Sequence, residues 1–208
     1  MTILALEFSS DRRSVALARD GVVLSEAVHL TDSRATNAFA LIEQVLVETK
    51  IARDEIEALA VGLGPGSYTG IRAAIALAQG WQLARGVKLI GVSSAAALAW
   101  RAQAENIFGR VNVMIDAQRG EFYVATWEIS AAECLEITPL KIISGAEIET
   151  AEAAGEIFRG AESAPKIFPG AGEIARLAAT KRADSEATLE PIYLRATSFV
   201  KAPPSRNL

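Results

Sequence analysis

The chain has 208 residues, half of them apolar, a formal net charge of −4, one histidine and one cysteine. That length and hydropathy suit a globular protein with a sizeable core, and the acidic balance argues against autonomous nucleic-acid binding, which depends on clustered Lys and Arg. The lone Cys134 leaves no internal disulfide and fits a reducing compartment, so a cytoplasmic protein is expected.

The opening run, residues 3–8, is apolar apart from Glu7 and lacks a basic flank. It is therefore expected to be a strand and not a signal peptide. The polar turn 9–13 leads to a second strand over 14–19, Asp20-Gly21 is a hairpin signal, and a third strand follows over 22–29. Thr31, Asp32 and Ser33 are helix-start residues for a helical stretch over 35–50. A fourth strand over 56–61 leads through a glycine-rich loop to a small-residue helix over 73–85. A fifth strand over 88–92 and an Ala-rich helix over 94–103 close the first unit. No apolar stretch is long enough to span a bilayer, so no membrane association is expected.

The opening pattern then returns. Residues 111–115 read as an apolar strand ending in Asp116, followed by the tight polar turn Ala117-Gln118-Arg119-Gly120 and strands over 121–129 and 135–143. Helices over 145–158 and 172–181, with a short strand over 166–168 between them, complete the second unit. In both units the first strand ends on an acid, Glu7 or Asp116, and a polar hairpin follows. The matched order predicts two copies of one α/β lobe, residues 1–104 and 105–208, each a mixed β-sheet with helices. Two such lobes with facing acidic hairpins describe the ASKHA fold of actin, the sugar kinases and the heat-shock ATPases, in which the hairpins grip the phosphates of ATP.

Strand, glycine-rich turn and helix between Gly62 and Arg72 have the shape of a phosphate cradle, built on backbone N–H groups at the positive end of a helix dipole. The loop fails the strict nucleotide patterns. No Lys follows Gly70, as a Walker loop requires, and Ser67 or Thr69 stands where a dinucleotide fingerprint has its third glycine. The candidate phosphate residues are Glu7, Ser9, Gly64, Gly66, Asp116 and Arg119. They read equally as a structural polar cluster of the hairpins. One histidine, His29, cannot supply a metal-binding His pair, so no metal is expected. Cys134 has no basic neighbour to lower its pKa.

The two longer helices of the first unit carry more than one apolar face. Phe39, Ile42 and Val45 make a stripe on the first, with Leu41 on another side. The second is small and apolar through Ile71, Ala74, Ile75, Ala78 and Trp81. Two readings follow: burial between the sheet and its neighbours, or a partner interface where small residues allow close packing.

Gly64-Pro65-Gly66-Ser67-Tyr68-Thr69-Gly70-Ile71-Arg72 resembles the GPGSFTGLR signature of the TsaB (YeaZ) family. Asp116-Ala117-Gln118-Arg119-Gly120-Glu121-Phe122-Tyr123 resembles that family's DARRGEVY hairpin. Glu190-Pro191-Ile192-Tyr193-Leu194-Arg195 resembles its C-terminal P-x-Y-L-R element, and Val92-Ser93-Ser94-Ala95-Ala96-Ala97-Leu98 its VSSL-x-ALA run. The resemblance implies a non-catalytic ASKHA-fold partner in bacterial synthesis of N6-threonylcarbamoyladenosine on tRNA. It implies pairing with the catalytic TsaD subunit, with the small ATPase TsaE as a third partner. It also implies no cofactor of the chain's own, ATP being used through the partner subunits, and tRNA contact mainly through those partners. Exposed apolar helices make a homodimer plausible when the partner is absent. Two positions depart from the pattern: Glu7 replaces the usual Asp, and Ser33-Arg34-Ala35-Thr36-Asn37 lacks the frequent His-Ser pair. The alternative is a small-molecule kinase or ATPase with Asp116 as base. A metalloprotease is hard to sustain with one histidine.

Overall fold

In the computed structural model, which describes residues 1–30, 37–181 and 189–194, strand β1 (Thr2–Glu7) is buried along its whole length. A strand covered on both faces can be apolar throughout, and this one is apart from its ends. It pairs antiparallel with β2 (Arg12–Arg19), which pairs antiparallel with the edge strand β3 (Val22–Leu30). On its other side β1 runs parallel to β4 (Ala58–Gly62), which runs parallel to β5 (Lys88–Val92). The sheet order is β3-β2-β1-β4-β5.

Alternation along these strands builds two cores. Leu4, Leu6, Leu17, Leu59 and Val61 face α1 (Ala38–Thr49) and α2 (Tyr68–Arg85). Ile3, Ala5, Ala16, Ala18, Ala58 and Ala60 face the opposite way, onto α5 (Ala171–Thr180). The strand alanines let α5 approach with its own Ala171, Ala175 and Ala178. Helix α3 (Ser94–Ala104) presents Ala97 to this second core and Ala95, Leu98, Ala99 and Ala102 to a third, against the second sheet.

The second sheet consists of β6 (Gly109–Asp116), β7 (Glu121–Ile129), β8 (Cys134–Ser144) and β9 (Ile157–Arg159), in the order β8-β7-β6-β9. Its β6–β7 and β7–β8 pairs are antiparallel and its β6–β9 pair parallel, the pattern of β3-β2-β1-β4. The shared strand order is that of the α/β ASKHA architecture. Although α5 follows the second sheet in the chain, it packs on the first.

Several elements differ from expectation. Helix α2 starts at Tyr68, five residues before the expected Ala73, because Ser67 caps it. The stretch 145–158 divides into α4 (Gly145–Ala153) and β9, since Gly155 (φ 91°) takes the left-handed conformation just past the helix end. Residues 166–168 form no strand; Ile167 instead fills the core beneath α3. A 3-10 turn, Arg53–Glu55, precedes β4. The helix-start residues Thr31, Asp32 and Ser33, the departure at 33–36, and Arg195 lie outside the described residues.

Candidate functional site

Glu7 ends β1 fully buried. Its Oε1 accepts from Ser9 N at 2.7 Å and its Oε2 from Ser94 Oγ at 2.8 Å. Ser94 Oγ also accepts from Gly64 N at 3.1 Å, and Ser94 N donates to Gly64 O at 2.9 Å. Burial pushes the Glu7 carboxyl above its ordinary range, while the bonds from Ser9 and Ser94 oppose the rise. A Cβ on Gly62 would fall 2.0 Å from Glu7 Oε2, so the bare glycine leaves the space that the carboxylate fills. Glu7 thus joins the first hairpin, the glycine loop and the start of α3.

The glycine loop closes directly on that hairpin. Cβ atoms on Gly66 (φ 143°) and Gly70 would lie 2.2 Å from Ser9 O and 2.0 Å from Phe8 O. Ser67 N donates to Ser9 O at 2.7 Å, and Ser67 Oγ accepts from Gly70 N at 3.3 Å as the cap of α2. The amides of Gly64, Ser67 and Gly70 are therefore occupied by the protein itself. A phosphate cradle would present such amides to its ligand.

Beside the loop lies a cleft of about 480 Å³ between the two hairpins. Ser9, Gly66 and Asp116 line it; Glu7, Gly64 and Arg119 do not. The expected phosphate constellation is brought together only in part. Glu7 and Gly64 are turned inward, and Arg119 sits exposed at the hairpin tip with Gln118, both at positive φ. Asp116 is exposed, and its Oδ1 accepts from Gln118 N at 2.7 Å, shaping that turn. Asp11, Arg13 and Glu162 complete the charged lining, giving one guanidinium against three carboxylates. That balance opposes an unaccompanied phosphate.

For most of the helix pair, burial against the sheet is the correct reading. Leu41, Ile42 and Val45 of α1, with Ile71, Ala74, Ile75 and Ala78 of α2, are buried in the first core. They hold the helices on the sheet, and of them only Ile42 reaches an outer groove. Phe39 is 76 % exposed, and Trp81 is half-buried. Together with Ile42, Ala84, Glu43, Arg53 and Arg85 they line a groove of about 370 Å³. The Trp81 indole Nε1 is buried with no hydrogen-bond partner among the described residues. Leu83, 91 % exposed on α2, was outside the expected set.

A second buried acid is absent from the sequence reading. Glu173, 2 % exposed, accepts from Arg101 at 2.9 Å and from Arg176 at 3.2 Å, while Arg101 lies 3.8 Å from Glu26. Burial pushes the Glu173 carboxyl up, Arg101 pulls it down, and Glu26 adds a smaller upward push. Gly172 N donates to Glu26 Oε1 at 3.2 Å and Ala171 N to Ser14 Oγ at 2.8 Å. The cluster pins the start of α5 to β2, β3 and α3. In sequence Glu173 looks like an ordinary acid in a first helical turn, which hides its burial. Burial also raises the Cys134 thiol to about 11, consistent with an inert cysteine. Among the described residues no group of three His, Cys, Asp or Glu is placed to hold a metal ion, and no helix is long and apolar enough to cross a membrane.

A family model described as TsaD: tRNA N6-adenosine threonylcarbamoyltransferase matches residues 12–196. Over 128 residues the chain is 35 % identical to the tRNA threonylcarbamoyladenosine biosynthesis protein TsaB of Escherichia coli (strain K12), covering 62 % of this chain and 55 % of that protein. Over 140 residues it is 28 % identical to the protein of the same name from Bacillus subtilis (strain 168), covering 67 % and 60 %. The matched part thus spans little more than half the length of these curated relatives. A crystal structure of an uncharacterized protein with similarity to peptidase YEAZ from Pseudomonas aeruginosa aligns with a TM-score of 0.79 at 27 % identity, over 93 % of this chain and 99 % of that one.

Proposed function

This chain belongs to the TsaB (YeaZ) family, and on that premise we propose that it is a non-catalytic subunit in the biosynthesis of threonylcarbamoyladenosine on tRNA. Its partner is a TsaD-like catalytic subunit that transfers the threonylcarbamoyl group to adenosine 37, and a TsaE-like ATPase is the third component. The chain works in the cytoplasm without a cofactor of its own, ATP being consumed through the partners. Most tRNA contact falls to them as well, and the free chain pairs with itself when they are absent.

The observation that carries this reading is the inward-turned glycine loop. Its amides bond Ser94, Ser9 and Ser67, so the loop works as a brace for α2 and the first hairpin. Support for a partner surface comes from the opposite side of α2. Exposed Phe39 lines a groove in which the Trp81 indole N–H is buried and unpaired among the described residues. An aromatic pair with arginines at its rim has the composition of an interface hot spot. The exposure of Asp116 in the cleft is what favours the alternative, a kinase or ATPase. Reconstitution with the catalytic subunit decides between them: an accessory subunit supports tRNA modification and has no ATP turnover of its own.

A further inference from the structure

The cleft and the groove leave one sequence motif unused, Pro191-Ile192-Tyr193-Leu194. Residues 189–194 run beside the glycine loop and are anchored there at two points. Leu189 is 5 % exposed in the first core, and Ile192 N donates to Leu63 O at 2.9 Å. Held this way, Tyr193 stacks on Tyr68, with ring centroids 5.6 Å apart and planes inclined by 27°. Tyr68 opens α2, and one turn later Arg72 places its guanidinium 5.3 Å from the centre of the Tyr68 ring. Tyr68 is nevertheless 58 % exposed and Tyr193 42 %.

A rigid aromatic stack left open beside a guanidinium is suited to a planar ring that carries a phosphate. Unpaired bases stack on tyrosines regardless of sequence, and arginine takes the adjoining backbone. On its cleft side the stack is bordered by Ser9, Ser10, Ser67 and Thr69. Those hydroxyls suit a nucleotide better than they suit the apolar centre of a protein hot spot. We infer that Tyr193, Tyr68 and Arg72 form a stacking platform for an unpaired nucleobase of RNA. The source of that base, a tRNA loop, rests on the reading proposed above. Because the two tyrosines already touch, the base lies on the outer face of the pair and not between the rings. With a net charge of −4 and one guanidinium in the platform, stacking supplies most of the affinity. The contact supplements those made by the partner subunits.

The test is an anisotropy titration of the full chain, without partners, using a labelled single-stranded RNA oligonucleotide. Tyr193→Leu keeps an apolar anchor but has no π-face, and it should weaken binding roughly tenfold, whereas Tyr193→Phe should stay within about twofold of wild type. The slope of log K against log salt should be about −0.7, the value for one phosphate on a single strand. A photo-activated base in the oligonucleotide should crosslink to Tyr68 or Tyr193. No binding, equal binding by wild type and Tyr193→Leu, crosslinks elsewhere, or a slope several times steeper would overturn the platform. Equally effective competition by ATP would reassign it to free nucleotide. Association with the catalytic subunit, followed in parallel with Phe39→Glu, tests the subunit reading separately. If Tyr193→Leu lost that association but bound RNA normally, the stack would be a protein contact and the inference would fail.

Discussion

Glu7 and Ser94 are separated by 87 residues in the chain, yet the Ser94 hydroxyl donates to the Glu7 carboxylate at 2.8 Å. Through Ser94 the same carboxylate reaches the Gly64 amide, and through its other oxygen the Ser9 amide. Glu7 therefore acts as a buried bracket behind the glycine loop. Its side chain is spent on backbone and hydroxyl partners and does not enter the cleft.

The bracket predicts a pH dependence. Burial raises the carboxyls of both Glu7 and Glu173 above their ordinary 4.5 in the folded chain. Between that value and the raised one, the folded state holds protons that the unfolded chain has released. The associated stability is full below the unfolded value and is lost as pH rises through the folded one. The wild-type Tm should accordingly fall as pH rises from the ordinary carboxyl value of 4.5 through the raised one. Glu7→Gln, whose amide does not titrate, should make the fall smaller. A Tm that rises over this window, or an identical slope in the variant, would show that Glu7 is not the titrating group.

The glycine loop should matter through shape. Gly66→Val places a Cβ 2.2 Å from Ser9 O at a φ of 143°, so the hairpin or the start of α2 must move. A loss of about 3 kcal/mol or more is expected. Ser67→Ala removes only a helix cap and should cost about 1 kcal/mol. Thermal melts of the two variants, paired with tRNA-modification assays on the reconstituted complex, should show this order. A reactive serine would reverse it, abolishing function while leaving the melt intact.

Most strands were legible because they are apolar runs ended by polar turns; β5 and β7 fall where the pattern puts them. The repeated acid-and-hairpin unit likewise pointed to two similar units, although the fourth strand of the second lies at Ile157–Arg159 and not at 166–168. Failures arose where a side chain's direction decides the outcome. Ala74 and Phe39 look alike as apolar helix positions, but one is 0 % and the other 76 % exposed, set by the phase of each helix against the sheet. Gly64 and Glu7 carry the residue types of a phosphate site, and only the tertiary contacts with Ser94 turn them inward. Tyr193 is far from Tyr68 in sequence, and nothing local announces their stack.

The partner surface can be mapped by charge. Leu41→Glu and Ala74→Glu would bury a carboxylate in the first core and should unfold the chain. Phe39→Glu and Leu83→Glu should fold normally, since both positions face solvent. Each should weaken association with the catalytic subunit by roughly 2 kcal/mol. Calorimetric melts and binding titrations on the four variants would check the division. Undiminished binding by both exposed-site variants would move the interface elsewhere.

The most direct measurement is threonylcarbamoyl transfer to tRNA by the catalytic subunit and its ATPase, with and without this chain, alongside ATP turnover by the chain alone. An accessory subunit predicts transfer that depends on the chain, is retained with Asp116→Asn and is lost with Phe39→Glu. It also predicts background ATP turnover for the isolated chain in every case. Transfer indifferent to the chain, or turnover by the isolated wild type that falls roughly 100-fold in Asp116→Asn, as loss of a general base would cause, would contradict the account.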